Sequence, residues 1–250
     1  MHALRVRRRR DAPSSLIRTS PFFLLVKIRI AAGDNARFEE GMPALRAAFA
    51  ENHFSLLLAG FLEPQDGDEA RDSTVVHIWH MPSADQLLAG MTMLADNVAY
   101  ATFDDLILDE TQNLGTPARH YVDFDRELLV PWQAARARKR SLAATHRDRY
   151  LIVTERVSQP QLAEYGARYE ESLDSFNERN HWELGEGLLH ITGALNLVSR
   201  AWVVPPELKP KDALEILKTA PGAGCVDAQS TRIQFLKQTS YEVGFGEIRP

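Results

Sequence analysis

The sequence predicts an α+β protein built from two β-α-β-β-α-β units in tandem. Three observations predict it. The stretch Asn52-His53-Phe54-Ser55-Leu56 returns as Asn180-His181-Trp182-Glu183-Leu184, 128 positions later. A Trp-x-x-Pro pair recurs at Trp79/Pro82 and Trp202/Pro205. Strand-like and helix-like periodicities also follow one another in the same order in both halves.

Taken in order, FFLLVKIR (22–29) and YLIVTERV (150–157) align at a spacing of 128 and read as first strands, rich in branched and aromatic residues. A helix follows each. In the first, Asp34 is the expected cap, and Phe38, Met42, Leu45 and Phe49 fall on one face. In the second, Ser158 is the expected cap, Pro160 sits in the first turn, and Leu162, Tyr165, Tyr169 and Phe176 share a face. Next come second strands at 55–64 and 183–192, then third strands at 74–82 and 197–205. A second helix is expected at about 83–96 and about 206–220, and a last strand at about 104–111 and about 230–239. This order is the ferredoxin-like, split βαβ unit. The organisation that follows is a disordered tail (1–20), an N-terminal domain (21–112), a linker (113–148) and a C-terminal domain (149–250).

The composition is that of a globular chain, 44% hydrophobic and 25% charged. A net charge of −5 speaks against nucleic acid as a partner. The basic-then-apolar N-terminus mimics a signal peptide. Its apolar run carries Lys27 and Arg29 and is too short to span a bilayer, so no membrane partner is expected. The single cysteine, Cys225, excludes an intramolecular disulfide and fits a cytoplasmic location.

Several stretches of the first half resemble the NIPSNAP-like members of the dimeric α+β barrel superfamily. They are VKIRIAAG, LLAGFLEP and VVHIWHMPSADQL, the last carrying Val75-x-His77-x-Trp79. The match departs at Lys27, where an acidic residue is usual. The second half has its acid at Glu155 and replaces the histidine with Arg200. The resemblance covers roughly residues 22–131 and is weaker over 150–240. It implies that the two halves close into one barrel within the chain, with further homo-oligomerisation open. It also implies a small-molecule site. Relatives of this fold include cofactor-free monooxygenases, cyclases and heme enzymes, and fold alone does not choose among them.

Strand alternation then sorts the candidates. With Val76, Ile78, Ala201 and Val203 placed against helices, His77, Trp79, Arg200 and Trp202 are expected inside the barrel. Leu25, Lys27 and Arg29, and Val153, Glu155 and Val157, are expected to join them. Two readings stay open. In one, Glu155 pairs with Arg200 or Lys27 in an ion-paired core, and the chain is a non-catalytic binding or interaction module. In the other, the interior is a cavity for general acid/base chemistry on a small molecule without an organic cofactor, of monooxygenase, cyclase or isomerase type. There His77, Glu155 and Arg200 are catalytic, and Trp79, Trp202, Lys27 and Arg29 bind substrate. His120 and Tyr121, in the linker, are candidates for a lid that contacts substrate.

His53 and His181 are expected to cap helix ends, next to asparagines suited to an αL stop. His190 reaches the cavity rim. No metal is expected, since no HExxH occurs and His77 and His80 point to opposite faces. Heme, the third functional reading, is disfavoured because neither second helix carries a histidine.

Overall fold

The structure is a computed structural model. It describes residues 22–64, 72–81, 105–117, 149–190 and 196–241, with Gln86, Gly90, Thr92, Tyr100, Ala101 and Phe103, which are helical. The expected tail, residues 118–148 with His120 and Tyr121, and most of the helix expected at 83–96 lie outside the described residues.

Eight antiparallel strands close into one barrel: β1 (Phe22–Ala31), β2 (Ser55–Leu62), β3 (Asp72–Met81), β4 (Ile107–Pro117), β5 (Arg149–Arg156), β6 (Glu183–His190), β7 (Leu197–Val203) and β8 (Arg232–Gln238). Their order round the barrel is β1-β3-β2-β8-β5-β7-β6-β4. Each half of the chain supplies four neighbouring strands. Two short seams join them, Gly60–Leu62 against β8 and Gly115–Pro117 against β6. Closure leaves no strand of the sheet with only one neighbour. This is the intrachain dimeric α+β barrel of the expected fold class. β4 runs past the expected domain edge at 112 as far as Pro117.

Helices cover the outside. α1 (Asn35–Glu51) buries Phe38, Met42, Leu45 and Phe49 at spacings of one helical turn. Each such side chain contributes roughly 1.5–3 kcal/mol. α2 (Leu162–Asn180) does the same with Leu162, Tyr165, Tyr169, Leu173 and Phe176. α3 (Pro210–Leu217) buries Ala213 and Leu217.

The expected N-caps do not cap. Asp34 Oδ1 takes the Arg37 guanidinium at 3.4 Å, and Ser158 Oγ donates to Gln161 Oε1 at 2.6 Å. The C-termini do repeat, with roles exchanged. The histidines adopt the left-handed conformation, His53 at φ 63° and His181 at φ 55°. The asparagines cap with their side chains, Asn52 Nδ2 on Ala48 O at 3.2 Å and Asn180 Nδ2 on Phe176 O at 2.8 Å. Phe54 N to Phe49 O and Trp182 N to Asn177 O, both 3.0 Å, complete two Schellman-type closures.

The core has two kinds of layer. The barrel lumen is filled by Phe23, Leu25, Leu58, Val76, Ile78, Tyr150, Ile152, Ala201, Val203 and Leu236. Between helices and sheet lie larger groups, with Trp79 in the first half and Trp182 and Trp202 in the second. The assignment of faces from alternation is therefore reversed on β3 and β7. Val76, Ile78, Ala201 and Val203 line the lumen, and His77, Trp79, Arg200 and Trp202 lie under the helices. The reason is space. An eight-stranded barrel holds little more than its own side chains, and Phe23, Tyr150 and the aliphatic groups beside them already take that room, so His77, Trp79, Arg200 and Trp202 go to the helix–sheet layers.

The first strands separate. Leu25 and Lys27 face the lumen as expected, with Arg29 further along the same face. Val153, Glu155 and Val157 do not. Leu24 pairs with Trp79 and Leu151 with Trp202, so β1 and β5 correspond at a spacing of 127. At 128 the alignment slips by one residue, which exchanges the faces of a strand. The counterpart of Lys27 is Thr154, and Glu155 answers to Ile28.

Candidate functional site

The helix–sheet layer of the first half holds a cavity of about 40 Å³. Most of its wall is apolar: Val26 and Ile28 from β1, Phe38 and Met42 from α1, with Phe54 and Phe103 closing it. Besides Tyr100, three polar residues from the sheet reach it. His77 comes from β3, and Glu110 and Gln112 come from β4. The register explains their convergence: Val26 pairs with His77 on one side and with Gln112 on the other, and Ile28 pairs with Glu110. Directly opposed residues of an antiparallel sheet share a face. Gln112 Nε2 donates to the Glu110 carboxylate.

His77 is almost fully buried, and its Nε2 lies 2.7 Å from the Tyr241 hydroxyl. Burial lowers the imidazole pKa to about 3, so the ring stays neutral. Phe38, Trp79 and Tyr241 surround it with ring centroids 5.8–6.1 Å away. Tyr241 belongs to the second half of the chain. It is brought across by the segment after β8, where Ser240 N donates to Glu39 Oε1 at 2.7 Å and Arg46 Nη1 donates to Tyr241 O at 3.0 Å.

The equivalent layer of the second half is filled. Arg200, opposite Val153 as His77 is opposite Val26, donates to the Glu155 carboxylate. It also donates to Pro221 O at 3.1 Å. Its guanidinium carbon sits 4.9 Å from the Trp202 ring, 5.7 Å from Tyr169 and 5.9 Å from Tyr165. Burial alone would lower the Arg200 pKa; electrostatic coupling to Tyr165 and Glu155 outweighs it and holds it raised. Burial pushes the Tyr165 hydroxyl well above the ordinary tyrosine range. Trp202 Nε1 donates to Asn177 Oδ1 at 3.1 Å.

The expected site residues thus divide among three places. His77 and Trp79 share the first helix–sheet layer, although Trp79 packs on Phe49 at 4.5 Å as part of the wall. Glu155, Arg200 and Trp202 share the second. The ion pair expected between Glu155 and Arg200 forms, under a helix and not inside the barrel. Lys27 is in the lumen, where its Nζ donates to Gln234 Oε1 at 2.7 Å. Arg29 is exposed and pairs with Asp72 at 3.6 Å.

The sequence reading did not reach Tyr241, Glu110 or Gln112. Tyr241 lies past the last strand, where no periodicity marks it. Glu110 and Gln112 become visible only when β4 is placed beside β1 in register.

The described residues do not fit a heme. None of α1, α2 and α3 carries a histidine. The second helix–sheet layer is occupied by side chains. The first leaves about 40 Å³ as it stands, room for a few atoms and not for a macrocycle. Among the described residues no group of three or more His, Cys, Asp or Glu is arranged to hold a metal ion. No described helix is long and apolar enough to cross a membrane.

No family model matches the chain, and no curated protein matches it. Solved structures do. A candidate monooxygenase from Lactobacillus acidophilus NCFM superposes with a TM-score of 0.55 at 11% identity, covering 88% of this chain and 95% of that one. A candidate monooxygenase from Fusobacterium nucleatum gives 0.51 at 8% identity, covering 89% and 94%. A heme-binding protein from Thermus thermophilus gives 0.48 at 10% identity, covering 88% and 91%. At these identities the first two likenesses are ones of fold, and the fold they share with this chain is the ferredoxin-like dimeric α+β barrel.

Proposed function

We propose that the chain is a small-molecule enzyme that works by acid/base chemistry in the cavity under α1, without an organic cofactor. The observation that carries this reading is the buried, neutral His77, held by Tyr241, in the wall of an apolar cavity that half-buried Glu110 also lines. The substrate class is an apolar molecule with an enolisable carbonyl or a phenol. Glu110, held by Gln112, takes the substrate proton. Charge then develops on the substrate oxygen. The Tyr241 hydroxyl holds His77 at Nε2, and the imidazole, which lines the cavity, is set against that oxygen. A neutral imidazole held by a phenol stabilises an enolate by hydrogen bonding without protonating it outright. The enolate then closes on itself, is reprotonated elsewhere or meets dioxygen, which are the cyclase, isomerase and monooxygenase outcomes.

Two further points support the reading. The Val75-x-His77-x-Trp79 run resembles that of NIPSNAP-like proteins, and the two neighbours described above with TM-scores of 0.55 and 0.51 are candidate monooxygenases. The cavity admits only a few atoms as it stands, so an aromatic ring enters by displacing Phe54 or Phe103. The test is a panel of enolisable polycyclic phenols and diketones, with and without oxygen, read by product formation and oxygen uptake. Glu110→Gln and Tyr241→Phe are expected to lose turnover and keep the fold. Unchanged turnover in both variants sinks the assignment.

The non-catalytic reading keeps its support in the second half alone, where Arg200 and Glu155 form an ion-paired core with no cavity between them.

A further inference from the structure

We propose that the polar end of the barrel lumen, on the other side of the sheet from the His77 cavity, is a binding site for a small oxyanion, a carboxylate or phosphate group. The lumen changes character along its length. Phe23 and Leu25 on β1, Tyr150 and Ile152 on β5, Ala201 and Val203 on β7 and Leu236 on β8 make it apolar at one end. Each of those strands then turns polar on the same face. β1 continues to Lys27, β5 to Thr154, β7 carries Ser199 between Leu197 and Ala201, and β8 starts from Arg232 and Gln234. β6 ends at His190.

The groups converge. Lys27 reaches Gln234 Oε1 at 2.7 Å although β1 and β8 are not neighbours, so this bond crosses the lumen. Ser199 Oγ is 2.7 Å from His190 Nε2 and 3.0 Å from Thr154 Oγ1. Exposure grades from Arg232, which is open to solvent, through half-buried Lys27, Gln234 and Thr154 to buried Ser199 and His190. That is the profile of a mouth with a polar floor.

The charges are unbalanced. Arg29, further along β1, has Asp72. Among the residues whose side chains are described, neither Lys27 nor Arg232 has a carboxylate within ion-pair distance, and the two cations repel each other. Burial first and Arg232 second lower the Lys27 pKa; burial first and Lys27 second lower that of His190. Like charges brought together in a half-buried space without a counter-charge are a cost that a bound anion removes. The amide of Gln234 and one hydroxyl hydrogen of the Thr154–Ser199–His190 chain, free when His190 Nε2 is the donor to Ser199, complete the donor set for such an anion.

The test uses the full chain and two probes, sodium phosphate and sodium acetate, at ionic strength held constant with sodium chloride. The melting temperature is expected to rise with phosphate, acetate or both, and to saturate, as for a ligand bound by the folded state. Response to phosphate alone marks a phosphoryl ligand; response to acetate as well marks a carboxylate. Lys237→Met, an exposed control on β8, and His77→Leu, on the opposite face of β3, are expected to keep the response. Arg232→Met and Lys27→Met are expected to lose it. Arg232 is exposed, so its variant tests the site without threatening the fold. Lys27→Met is expected to melt no lower than wild type in anion-free buffer, because it removes a repelled cation. A response that persists in both variants, or that chloride reproduces, overturns the proposal. So does a Lys27→Met protein that is destabilised and still stabilised by phosphate.

Discussion

The two helix–sheet layers occupy the same place in the fold and have been filled in opposite ways. Under α1, a histidine on β3 stays neutral among aromatic rings, and a small cavity remains beside it. Under α2, an arginine at the equivalent position on β7 is matched by Glu155 and enclosed by Tyr165, Tyr169 and Trp202. The neighbouring positions differ in concert. Ile28 stands where the second half has Glu155, and Phe38 where it has Tyr165. A charge needs a counter-charge and close packing before it can be buried. A neutral ring needs neither, so the first layer can leave space. The difference says where to look for chemistry: in the half that did not commit its interior to an ion pair.

The largest effect expected from breaking this contrast lies in the second half. Arg200→Ala or Glu155→Ala leaves a buried charge without its partner, and each is expected to cost about 3–5 kcal/mol of stability. The double variant Glu155→Met/Arg200→Met is expected to recover most of that loss, since a buried pair is often replaceable by apolar groups of similar size. Urea unfolding midpoints decide it. A loss below about 1 kcal/mol in either single variant would show the pair to be hydrated and the contrast between the halves to be weaker than drawn.

In the first half the expectation is reversed, with a small structural effect and a large functional one. Removing one donor aimed at a developing oxyanion typically costs about 10²–10³ in kcat. His77→Leu and Tyr241→Phe are expected in that range on whichever substrate the panel identifies. Their stability is expected to change by no more than about 1–3 kcal/mol, the cost of one altered buried hydrogen bond. Two variants with wild-type kcat would make the His77–Tyr241 contact a tie between the halves and nothing more.

Acid sharpens the same comparison. The folded-state pKa of His77 is lowered from 6.5 to about 3. The unfolded chain therefore binds the extra proton first as pH falls. The stabilisation is complete above about pH 6.5 and is lost progressively towards pH 3, with a slope of at most about 1.4 kcal/mol per pH unit from this one group. His190, also lowered, adds in the same direction. Unfolding midpoints of wild type and His77→Leu, measured from pH 7 to pH 4, are expected to converge as pH falls. Parallel curves would mean that the imidazole is hydrated and titrates normally.

The architecture was legible because period-two and period-3.6 patterns survive in sequence, and the recurrent Asn-His-aromatic stretch set the two halves side by side. The faces were not. Polar side chains on β3 and β7 suggested a lined barrel, yet what decides the matter is volume. The lumen accepts Val76, Ile78, Ala201 and Val203, and the wider helix–sheet layer takes His77, Trp79, Arg200 and Trp202. A second difficulty was register. The spacing of 128 is right at the helix ends, where Asn52 answers to Asn180, and one residue too long at the first strand. That single residue placed Glu155 beside Lys27 in the sequence reading, on the wrong side of its sheet. Tyr241, Glu110 and Gln112 depend on contacts between segments distant in sequence and left no local mark.

The smallest expected effects lie where the halves agree. Both first helices end on a histidine in the left-handed conformation, at φ 63° and 55°, and both histidines are exposed. A side chain with a Cβ is strained there and glycine is not. His53→Gly and His181→Gly are each expected to stabilise the fold by about 0.5–1 kcal/mol, less whatever glycine adds to the entropy of the unfolded chain. Asn52→Ala and Asn180→Ala remove the side-chain bond to the carbonyl four residues back and are expected to cost about 0.5–1.5 kcal/mol. The informative quantity is the agreement between halves. Equal increments at both corners mean that this stretch serves the backbone, and that the histidines persist there for geometry alone. If His181→Gly follows the rule while His53→Gly loses stability or turnover, then His53 has a partner beyond its cap. The corner beside the cavity would then differ from its counterpart, as His77 already differs from Arg200.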